Sequence, residues 1–174
     1  MRKILCVIVF LFSIVSIFSQ GDTCLDPIEI GPGTHIVNGI NGESYSDNCS
    51  GYDAPNGDLQ WYIYIPENDY LVTITSDLAV NQGLDTRFHV YQGDDCDDLD
   101  CLAGNDDVGD SYLSTTSFYA SAGDNYYIGW DDFWGQENEN FEFQLIISDP
   151  PPPPPFDFNA TSVSTSGSER GLVD

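Results

Sequence analysis

The chain has 174 residues, with 29 Asp and Glu set against four Lys and Arg, a formal charge of −25. Phosphate contacts need cations that this composition lacks, which argues against nucleic acid and anionic membrane surfaces and makes cations the natural partners. The length suits one domain around one core.

Arg2 and Lys3 precede an apolar run, residues 4–18, relieved only by Ser13 and Ser16. The run is shorter than the roughly 20 residues of a membrane span. Polar Ser19, Gln20, Gly21 and Asp22 follow it, with no positive stop-transfer cluster. This is the layout of a signal peptide, residues 1–20, cleaved after Ser19 or Gln20, and it predicts an extracellular, secreted or cell-surface protein. Cys6 leaves with the signal, and Gly21-Asp22-Thr23 ahead of Cys24 is no lipid-attachment box. What remains carries Arg87 and Arg170 against 29 acids, a charge of −27.

Four cysteines are left, Cys24, Cys49, Cys96 and Cys101, and an even count in an exported chain predicts two disulfides. Of the three pairings, proximity favours Cys24 with Cys49, worth about 3 kcal/mol through the unfolded chain, and Cys96 with Cys101. Zinc is the other use of four cysteines, but the CxxC spacing and the supporting His pair are missing.

Residues 21–148 show no helical periodicity over three turns. Alternation and β-formers predict strands at 35–40, 60–65, 70–76, 86–92, 113–120, 125–131 and 141–148. Turn signals separate them at 66–69, 81–83, 122–124 and 135–140. Short strands broken about every ten residues predict an all-β fold, an antiparallel β-sandwich of jelly-roll-like form stapled by disulfides. Along 125–131, Tyr126, Ile128 and Trp130 share one face and Tyr127, Gly129 and Asp131 the other, and the first set is assigned to the core. Six prolines, 150–155, follow Asp149, so 149–155 is an extended polyproline linker. Beyond it, 156–174 is rich in Ser, Thr and Gly and is expected to be a disordered tail or the start of a further domain, the chain being a fragment of a longer protein.

Several segments, in order, resemble the prepeptidase C-terminal domain family, small secreted sandwiches of Bacteroidetes-type surface proteins. They are Gly21-Asp22-Thr23-Cys24-Leu25-Asp26-Pro27-Ile28, Trp61-Tyr62-Ile63-Tyr64-Ile65-Pro66, the stretch 84–93 from Leu84-Asp85-Thr86 to Gln92-Gly93, Cys101-Leu102-Ala103-Gly104-Asn105-Asp106-Asp107, and Ser121-Ala122-Gly123-Asp124-Asn125-Tyr126-Tyr127-Ile128. The resemblance implies a jelly-roll-like sandwich with a non-catalytic role. That role is binding to matrix or polysaccharide, or helping a neighbouring domain to be secreted and folded. Trp130, Phe133 and Trp134 depart from it, standing where smaller residues are expected.

Three acidic groups stand out: Asp94, Asp95, Asp97, Asp98 and Asp100; Asn105, Asp106, Asp107 and Asp110; and Asp131, Asp132, Glu137 and Glu139. Calcium takes six to eight oxygens, which loop carboxylates, Asn and carbonyls supply. An EF-hand is excluded, since a loop begun at Asp95 puts Leu99 at a ligand position and Asp100 where Gly is needed. A site assembled from separate loops would use Asp85, Asn105, Asp106 and Asp107, making calcium the expected cofactor; the competing reading is that these residues form Asx turns. Among the aromatics, Trp61 and Trp130 belong to the core. Trp134, in a polar loop beside Gly135, is a candidate ligand contact, with Tyr127 a weaker one. Catalysis finds little support: His35 and His89 form no metal pair, His89 is assigned to solvent, and no nucleophile elbow is present. The expected function is a secreted, non-enzymatic binding or adhesion module directed at extracellular polysaccharide or protein matrix. The alternative is a structural spacer aiding secretion or folding of downstream domains of the same protein.

Overall fold

The computed structural model describes residues 19–51, 55–135 and 140–151. The export signal through residue 18, Glu137 and Glu139, most of the proline run and the tail lie outside the described residues. Nine strands form: β1 (Ile28–Glu29), β2 (Gly33–Asn38), β3 (Leu59–Tyr64), β4 (Tyr70–Thr75), β5 (Arg87–Gln92), β6 (Asp100–Asn105), β7 (Thr115–Ala120), β8 (Tyr126–Asp131) and β9 (Asn140–Ser148). They build two sheets, one in the order β1-β3-β8-β5-β6 and one in the order β2-β9-β4-β7. The result is the expected β-sandwich, except that β1 runs parallel to β3, through Ile28 opposite Tyr62.

The seven predicted strands form with ends shifted by at most two residues. β1 and β6 have no counterpart among them. Two residues are too few to show alternation, and β6 is an edge strand whose side chains are all exposed or half-buried, so it carries no apolar period to detect. At Val90 and Tyr91 the β5–β6 register slips by one residue. Such a bulge twists an edge and blunts it against further pairing.

Between the sheets lies the main core. Val72, Ile74, Phe118, Ile128, Trp130, Phe143 and Leu145 interdigitate there, and Trp130 packs at 4.7 Å from Phe88 and 5.2 Å from Phe143. Each such side chain contributes about 1.5–3 kcal/mol by leaving water. As the alternation predicts, Tyr126, Ile128 and Trp130 face this core.

The other face of the five-stranded sheet is also buried. Leu59, Trp61, Tyr91, Leu99 and Tyr127 form a second cluster with Cys24, packed against Tyr45, Ile63, Cys49 and Cys96. The segment joining β2 to β3 straps this face. Trp61 Nε1 donates to the Glu43 carbonyl at 3.0 Å, Tyr91 Oη to the Asp47 carbonyl at 2.6 Å, and Tyr45 sits edge-on to Tyr91 at 5.0 Å. The strap runs so low over β6 that a Cβ on Gly104 would stand 2.5 Å from the Cys49 carbonyl oxygen.

The disulfides hold this strap, and their pairing corrects the one that proximity favours. Cys24 joins Cys96 and Cys49 joins Cys101, across 72 and 52 residues. The reason is spatial: Cys49 lies over β6, which carries Cys101, whereas Cys24 lies on the outer cluster beside the 93–99 loop. Loops this long constrain the unfolded chain by about 4 kcal/mol each. Non-reducing peptide mapping is expected to recover Cys24 with Cys96 and Cys49 with Cys101. A Cys49→Ser/Cys101→Ser variant is expected to lose about 2–4 kcal/mol by urea titration.

Candidate functional site

Because β5 runs antiparallel to both β6 and β8, its start meets their ends. Asp85 lies just before β5, Asp106 and Asp107 directly after β6, and Trp134 just after β8. With Tyr112 they line an open pocket of about 200 Å³. Three of the four predicted metal ligands thus come together beside the predicted ligand-contacting Trp. Asn105 does not join them, since its Oδ1 accepts the Thr115 N–H at 2.9 Å and ties β6 to β7.

Trp134 is 40% exposed, and its Nε1 donates to Asp106 Oδ1 at 2.9 Å. Its ring stands edge-on to Phe133 at 4.7 Å, and Phe133 in turn lies under the Arg87 guanidinium at 4.5 Å. An aromatic so fixed offers a ring with little left to order on binding. Tyr112, 66% exposed on the same pocket, is a residue the sequence reading missed; it lies outside every predicted strand and acidic group.

The carboxylates here crowd one another. Burial, then the charges of Asp106 and Asp107, push Asp85 up to about 6 against a smaller opposing effect of Arg87. Asp106 is raised as well, first by burial, although the Trp134 N–H favours its ionised form. Such shifts mark a place where a cation would relieve strain between charges. Asp85, Asp106 and Asp107 offer the hard oxygen donors that calcium prefers, yet among the described residues no group of three or more His, Cys, Asp or Glu closes a metal site. Further oxygens from carbonyls or water would have to complete one.

Beneath the pocket lies the ion pair that fixes it. Arg87 is the only Lys or Arg between residues 4 and 169, and it is fully buried. Its Nε donates to Asp131 Oδ1 at 3.0 Å and its Nη2 to Oδ2 at 2.5 Å and to the Pro55 carbonyl at 2.9 Å. Asp131 also accepts the N–H groups of Gly57 at 3.1 Å and Phe133 at 3.0 Å. His89 is not solvent-facing as assigned. It is fully buried, with Nδ1 accepting the Cys49 N–H at 3.1 Å and Nε2 3.2 Å from Asp131 Oδ2. The acceptor role of Nδ1 places the ring proton on Nε2, which donates to the carboxylate. Burial opposes the charge of Asp131, but the hydrogen bonds of His89, Arg87 and Phe133 outweigh it and hold the carboxyl below its usual range.

The remaining predicted groups disperse. Tyr127 is only 7% exposed and belongs to the outer cluster, which removes it from any ligand surface. Asp94, Asp95, Asp98 and Asp100 join Asp124 around an open pocket of about 480 Å³ at the opposite end of the sheet. Asp132 Oδ1 accepts the Asp58 N–H at 2.7 Å. Among the described residues no helix is long and apolar enough to cross a membrane. Comparison of the chain with protein-family models, curated proteins and solved structures yields no match.

Two outcomes follow from these charges. Asp85 has a folded pKa above its unfolded value, so its contribution is fully present below about pH 4 and is lost as pH rises through about 6. In chelator, Asp85→Asn is therefore expected to raise Tm at pH 7–8 and leave it unchanged near pH 4, as read by thermal melting across pH. Asp131 has the opposite sign: its stabilisation is present above about pH 4 and is lost on acidification. Arg87→Met, which strands the buried Asp131 charge, is expected to cost about 3–5 kcal/mol at neutral pH, measured by urea titration.

Proposed function

We propose that residues 21–148 form a non-catalytic binding module of an exported protein, directed at extracellular carbohydrate or matrix and stabilised by calcium. The observation that carries this reading is Trp134, held half-exposed at the lip of the Asp85, Asp106 and Asp107 pocket by its own N–H bond to Asp106. Fixed aromatics beside polar groups are the usual anchors of a recognition site. Calcium at Asp85, Asp106 and Asp107 would offset the repulsion that raises Asp85 and Asp106 and would tie the β5, β6 and β8 ends together. Both histidines serve the fold, His35 through the Gly31 carbonyl at 2.7 Å and His89 through Asp131, which favours a non-catalytic role. The two disulfides agree with export to an oxidising compartment, and the resemblance to prepeptidase C-terminal domains points the same way. The six prolines after the sandwich favour a second role as a spacer ahead of downstream domains.

Millimolar calcium is expected to raise Tm by several degrees over chelator, with a smaller rise in Asp85→Asn; coincident melting curves reject the calcium site. On glycan arrays and immobilised matrix proteins, Trp134→Ala is expected to weaken binding about tenfold or more. Binding unchanged by that substitution rejects the pocket as the contact.

A further inference from the structure

The four-stranded sheet differs from the rest of the molecule in charge. Of the 29 Asp and Glu, only Glu142 falls within β2, β4, β7 and β9. One face of this sheet packs on the main core. On the other face, register places Ile146, Thr73 and Ser117 in one row across three strands, and Gln144, Thr75 and Thr115 in the next. Within those rows Thr73 Oγ1 and Ser117 Oγ are 2.7 Å apart, and Thr75 Oγ1 and Thr115 Oγ1 are 2.6 Å apart. Opposite Leu71 stands Tyr119, 62% exposed, and Ile146 is 46% exposed. The outer face of the other sheet is covered by the disulfide-held strap; among the described residues nothing comparable covers this one.

We propose that this face is a docking surface for a neutral, hydroxyl-rich polysaccharide. The occupant follows from charge. An anionic polymer finds no cation here, since the one Arg of the domain is buried under the opposite sheet. A cationic partner is drawn to the acidic pockets at the sheet ends instead. A neutral sugar polymer matches what is present. Paired hydroxyls and the Gln144 amide exchange hydrogen bonds with sugar hydroxyls, Tyr119 and Ile146 receive the apolar ring faces, and no carboxylate beyond Glu142 at one corner has to be desolvated. The long rows suit a polymer rather than a single sugar, and the contact is independent of the Trp134 pocket.

The test is retention of the full exported chain on insoluble neutral polysaccharide, with cellulose and neutral xylan as probes and alginate as the anionic control, in calcium and in chelator. The expected result is retention on a neutral matrix and none on alginate. Tyr119→Ala is expected to reduce retention about tenfold and Thr73→Glu to abolish it, while Tyr119→Trp, which keeps the ring platform, retains it. Circular dichroism confirms that each variant is folded. Absence of retention on neutral matrices overturns the proposal. So does retention that Trp134→Ala abolishes and Tyr119→Ala leaves intact, an outcome that spares the pocket reading. A chain that sedimentation shows to be a dimer dissociated by Ile146→Glu, with no retention, assigns the face to a second copy instead and also overturns it.

Discussion

The carboxylate of Asp131 is where the separate parts of this protein meet. It takes two bonds from Arg87, one from His89, one from the N–H of Gly57 in the strap and one from the N–H of Phe133 in the loop that carries Trp134. A charge so deeply placed persists only because so many donors replace water, and removing the Arg87 cation would leave it stranded. Strap, central strands and ligand loop are thereby registered to one another through a single side chain. From Asp131 the order passes outward through Arg87 and Phe133 to the Trp134 ring. Asp106 closes the circuit by accepting the Trp134 N–H.

The strap explains why the five-stranded sheet is built as it is. A sheet buried on both faces needs near-continuous burial along its central strands. β8 is buried at every position and β5 at all but its last. The price of covering the second face is a long irregular segment, and the disulfides across 72 and 52 residues restrain it from its two sides. Covering one outer face and leaving the other open also sorts the chemistry. Acids collect in the loops at the sheet ends, and the uncharged hydroxyl face is left to solvent. Long-range repulsion in so acidic a chain weakens with salt, within about 8 Å at physiological ionic strength, so short-range features decide what it touches.

Much of the fold is legible in the residues. Alternation marks β4, β7 and β9 because each has one face in the core and one in water. It also picks Tyr126, Ile128 and Trp130 as core. It fails for the opposite face of β8, because Tyr127, Gly129 and Asp131 look like a solvent side until a distant segment lies over them. His89 is misread for the same reason: its partners, Cys49 and Asp131, lie 40 and 42 positions away. β6 is lost because an edge strand with no buried face leaves no period.

The acidic site divides along the same line. Residue type alone nominates Asp85, Asp106, Asp107 and Trp134, since carboxylates near turns and a Trp in a polar loop are unusual wherever they occur. The sequence alone determines an exported, acidic, disulfide-bearing β-sandwich with a proline-rich exit, because targeting, charge and β-alternation are local properties. The tertiary structure decides which cysteines pair, which face is covered, that the only Arg of the domain is buried, and that Asn105 serves β7 rather than the pocket. Those outcomes depend on contacts between segments far apart in the chain, where local pattern carries no information about which strand or loop will lie opposite.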